Sequence, residues 1–83
     1  MNLYLTKKNI SKENIEIHKI TGNSIQDISD LSVKCTEILS NTGKYVSNLD
    51  ILSALSDTVK EANELGLTLT ETAATLVTLI SNK

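Results

Sequence analysis

Just after each of its three glycines this chain places a serine or threonine three residues ahead of an acid: Ser24 before Asp27, Ser47 before Asp50 and Thr68 before Glu71. This pairing starts helices. The hydroxyl accepts a hydrogen bond from an amide in the first turn that has no partner inside the helix. Thr68 with Glu71 has the residues of a full capping box, in which the glutamate also reaches back to the threonine amide. The chain has no proline, and each of its glycines, Gly22, Gly43 and Gly66, falls shortly before one of these starts. Glycine adopts the left-handed conformation that ends many helices. Starts and stops together predict three helices across residues 23–83.

The apolar spacing agrees with this punctuation. Ile25, Ile28, Leu31, Cys35, Ile38 and Leu39 follow at helical steps in the first of the three, which ends at Asn41-Thr42-Gly43. Leu49, Leu52, Leu55, Val59 and Ala62 make one face of the second, with Asp57, Lys60, Glu61 and Glu64 opposite. Gly66 stops it. In the third, Leu69, Ala73, Leu76 and Ile80 share one side, and Val77 and Leu79 widen that side on its flanks. No charge lies between Glu71 and Lys83. A helix apolar over so wide an arc packs on more than one neighbour. The run is too short and too interrupted by threonine to span a membrane.

Residues 1–20 read differently. Leu3 and Leu5 alternate with Asn2, Tyr4 and Thr6, and Ile15 and Ile17 alternate with Asn14, Glu16 and His18. Period two predicts strands, with the polar piece from Lys7 to Glu13 as the turn. Ser11 offers a rival start for a short helix through Ile20, but Ile15 and Ile17 would then point to different sides. The expected fold is mainly α: a small three-helix bundle (23–83) preceded by an N-terminal β-hairpin or extended arm (1–22), in one domain.

A chain of 83 residues without Trp or Phe must build its core from Ile, Leu, Val and Ala. A core of that size supplies only a few kcal/mol, and one cysteine cannot form an internal disulfide. A partner or a second copy is then a common source of further burial. The net charge is -2, and all the basic residues are lysines. Without arginine the chain lacks the planar fork that reads guanine or clamps phosphate. The lone Cys, and the lack of a secretory signal or span, favour the cytoplasm.

Five features invite a functional reading. Ala62, Gly66, Leu67 and Thr68 are spaced as in the turn of many helix-turn-helix units, which would make the chain a DNA-binding regulator. The reading helix would then open with Leu69, Thr70, Glu71 and Thr72, which suit base edges poorly. A plain helical hairpin explains the turn as well. Cys35 lies in an apolar stripe and reads as a small buried hydrophobe; exposed, it could link two chains. His18 reads as an exposed strand histidine, because no ligand set or nucleophile accompanies it. Asp57, Glu61 and Glu64 form a solvated row, or a shallow docking face for a basic partner. The third helix remains: its broad apolar band is either covered fully by the first two helices and the hairpin or left partly open as an association surface. The expectation is a non-enzymatic protein–protein interaction module, an adaptor, regulator or inhibitor. It would self-associate or dock on a larger protein through Leu69, Leu76, Val77 and Ile80. No catalytic residue, metal or cofactor is expected.

Overall fold

The computed structural model describes the backbone of residues 3–82, and side chains from Ile10 onward except Ser11. Four helices follow one another: α1 (Leu3–Thr21), α2 (Ile25–Asn41), α3 (Asn48–Glu64) and α4 (Leu69–Ser81). No strand occurs among the described residues.

The three helix starts behave as their residues require. Ser24 and Ser47 hydroxyls accept from the Asp27 and Asp50 amides at 3.1 Å. At α4 the Thr68 hydroxyl accepts from the Glu71 amide at 3.1 Å, and the Thr68 amide donates to Glu71 Oε1 at 2.9 Å. The stops are equally local. Gly66 has φ +82°, which lets the Leu67 amide reach back to the Ala62 carbonyl at 2.9 Å and satisfy the end of α3. Gly43, at φ +83°, does the same for α2, where the Lys44 amide meets the Leu39 carbonyl.

The hairpin expected at the N-terminus is replaced by α1, a single helix. Met1 and Asn2 lie outside the described residues. The part of the strand reading that rests on Leu3 and Leu5 concerns side chains that are not described, but their backbone is helical. The physical reason shows at Ile15 and Ile17. Ile17 is wholly buried, whereas Ile15 is 42% exposed, so their alternation never marked a common face. The face that packs is Ile10, Asn14, Ile17 and Ile20, spaced at three and four residues. The polar run from Lys7 to Glu13 continues the helix, with neither glycine nor proline to turn it.

Ile17, Ile28, Leu39, Ile51, Leu52, Leu55 and Val59 are fully buried, and Cys35, Leu69 and Ala73 join the same cluster. Each such aliphatic side chain contributes about 1.5–3 kcal/mol on burial. Ile51, which the spacing argument passes over, is among them. Ile25 and Ile38, which it includes, are largely exposed.

Parallel and antiparallel neighbours follow from which residues meet. Asn63 Nδ2 donates to the Ile20 carbonyl at 3.4 Å, so α1 and α3 run the same way with their C-terminal ends together. Asn23, Asp27 and Leu31 line one groove together with Leu69 and Thr70, which brings the starts of α2 and α4 together, so these two are also parallel. α3 and α4 form an antiparallel hairpin. α4 lies against α2 and α3, α1 lies chiefly against α3, and α1 and α4 scarcely touch.

Candidate interaction surface on the C-terminal helix

α4 is positioned by its capping box and by Leu69, Thr72 and Ala73, which it sends into the core. Glu71 is fully exposed. The amide and hydroxyl of Thr68 stabilise its carboxylate and lower its pKa from the ordinary value. Beyond Glu71 the helix has no charged side chain up to Asn82. Its threonines are less polar than their type implies. The hydroxyls of Thr72, Thr75 and Thr78 each donate to the carbonyl one turn back, at 2.9–3.0 Å. Thr75 and Thr78 are exposed, with their donors already used within the helix.

Two grooves flank α4. The one against α2 has a volume of about 320 Å³ and is walled by Leu31, Cys35, Ile38, Ala73 and Val77. The one against α3 is about 140 Å³ and is walled by Thr58, Ala62, Leu67, Leu76 and Leu79. The four residues expected to bind a partner are therefore not equivalent. Leu69, 5% exposed, is a core residue under the first turn of α4. Leu76 and Val77 are half-buried and border different grooves, one on each side of the helix. Ile80, also half-buried, packs on the edge of the core. The accessible apolar groups are Leu79, 59% exposed, and with it Ile38 and Leu67 on the facing walls. Leu67 lies in the turn just before α4, whereas Ile38 belongs to α2 and only the folded chain brings it beside α4.

The remaining candidates separate cleanly. Cys35 is a free, buried thiol, and burial raises its pKa; Lys34 opposes that only in part. His18 is exposed, as expected, but on a helix and not a strand. Its Nδ1 lies 2.7 Å from the Asn23 carbonyl, which can only accept, so Nδ1 carries the proton and His18 ties the end of α1 to the following turn. Asp57, Glu61 and Glu64 are exposed on α3. No three of His, Cys, Asp and Glu gather into a metal site among the described residues. None of the described helices is long and apolar enough to cross a membrane. At the Gly66 turn, Leu69 and Thr72 point into the core, which leaves Thr70 and a carboxylate on the outer side of the first turn. Lys83, a cation that could have assisted with phosphate, lies outside the described residues.

Compared with known proteins, the chain matches no family model, no curated protein and no solved structure.

Proposed function

We propose that this chain is a non-enzymatic interaction module that associates with a second copy of itself, or with a larger protein, through α4. The observation that carries this reading is the charge-free outer side of α4, set between two open apolar grooves. An uncharged face with exposed leucine and isoleucine at its margins gains by being covered. The self-satisfied threonine hydroxyls lower the desolvation penalty of covering it. Val77 and Leu76 line the grooves on the two sides, Ile80 is half-buried at the core edge, and Leu79 is the exposed knob.

Leu79→Asp tests the reading. Leu79 is mostly in water, so the substitution leaves the helical circular dichroism and the melting temperature nearly unchanged. It is expected to abolish association in light scattering across a concentration series, or capture of the partner in a native extract. A variant that keeps the wild-type mass and captures the same proteins overturns the proposal.

A further inference from the structure

The groove between α3 and α4 is lined so that it makes no hydrogen-bond demand. Its walls are Ala62, Leu67, Leu76 and Leu79, with Thr58, Thr72 and Thr75 between them. The three threonine hydroxyls donate to the carbonyls of Ala54, Thr68 and Glu71, each one turn back in the same helix, at 2.9–3.0 Å. A polar occupant would lose water there and gain no donor in return, so the groove suits an aliphatic side chain. Along α4 the groove runs from Thr72 to Leu79, about two helical turns. Leu65, 79% exposed and three residues from Ala62, continues the apolar surface beyond it.

The charges around the opening have one sign. On a helix, residues three and four apart are neighbours. Glu61 is therefore beside Thr58 and Leu65 on the α3 margin, and Asp57 and Glu64 stand beside Glu61. Glu71 stands four residues before Thr75 on the α4 margin, tied to the Thr68 amide. All four acids are exposed. Lys60 is the lysine of α3, but its neighbours at those spacings are Ser56, Asp57, Asn63 and Glu64, none of which lines the groove. The groove against α2 differs, because Lys34 stands in its wall.

We infer that the α3–α4 groove is a docking site for a basic amphipathic helix of another protein. Its aliphatic side chains enter the groove, while its lysines or arginines meet Glu61, Glu71 and the acids beside them. This rests on the reading of α4 as an interaction surface and decides between the two partners that reading allows. A twofold dimer uses one surface twice, so a second copy would set the acidic margin against itself. A basic helix pairs with that margin and covers the leucines.

Binding of labelled synthetic peptides to the intact chain, followed by fluorescence anisotropy and by the methyl signals of the chain, tests this. One probe carries leucine at i, i+3, i+4 and i+7 with lysine elsewhere. A second replaces every lysine with glutamate, and a third scrambles the order of the first. The lysine probe is expected to bind, to shift the methyls of Leu67, Leu76 and Leu79, and to bind less tightly as salt is raised. The other two should bind at least about tenfold more weakly. Glu61→Lys, an exposed change that leaves the melting temperature nearly unaltered, should weaken the lysine probe by about threefold or more. Equal binding of the scrambled and ordered probes means attraction by charge alone and overturns the inference. So does binding that is indifferent to Glu61→Lys, or that shifts Ile38 and Val77 instead. If the chain self-associates in a manner that Leu79→Asp abolishes, yet binds no probe, the reading of α4 stands and this inference falls. If neither association nor probe binding occurs, both fall.

Discussion

Glu71 shows how much one side chain does at the surface of this molecule. Its carboxylate is held by the Thr68 amide and hydroxyl, and both lower its pKa. A group whose pKa falls on folding stabilises the fold above its unfolded value, about 4.3 for glutamate, and the stabilisation is lost as pH drops through the folded value. Melting temperature should therefore decline on the acid side partly through this residue. Glu71→Gln keeps an acceptor for the Thr68 amide but cannot titrate. Its melting temperature is expected to fall less than that of the wild type between neutral and acid pH; identical acid limbs would show that Glu71 does not contribute. The capping box was legible because it is local chemistry, three residues apart. Asn14, Ser32 and Thr72 were not: each is a polar residue that the fold buries. Ser32 and Thr72 manage this by donating to their own helix, at 2.8 and 2.9 Å. Nothing in residue type separates these from the solvated serines and threonines around them.

At the scale of elements, α2, α3 and α4 were readable because caps and spacing agree. α1 was not, because Ile15 and Ile17 mimic a strand and its start carries no acid in the first turn. It is also rich in β-branched residues and asparagine, which are indifferent helix formers. Packing on α3 decides its state. The α3–α4 hairpin depends instead on its glycine. At Gly66 an added side chain meets no neighbour, so any penalty for alanine comes from the left-handed backbone alone. Gly66→Ala is expected to cost about 1–2 kcal/mol, read as a lower urea midpoint with an unchanged slope. A variant as stable as the wild type would mean that the turn relaxes to another conformation. The surface proposed on α4 draws on both levels. The charge-free run stood in the sequence, whereas the grooves need α2 and α3 beside it.

For the molecule as a whole, Cys35 reports on integrity. It is buried between α2 and α4, with its thiol pKa raised by burial. In the folded chain at neutral pH it should react with a thiol reagent at least about a hundredfold more slowly than in urea. Comparable rates would mean that α4 lifts from α2 readily. The pairing of α1 with α3 also bears on synthesis. α1 is made well before the helix it rests on, and translation from Thr21 to Glu64 takes a few seconds at about 5–20 residues per second. During that interval α1 can meet α2 but not the helix it chiefly rests on. A segment that interleaves Lys7, Lys8, Lys12, Glu13 and Asn14 with its leucines and isoleucines keeps them dispersed in water while it waits; a greasier one would tempt other nascent chains.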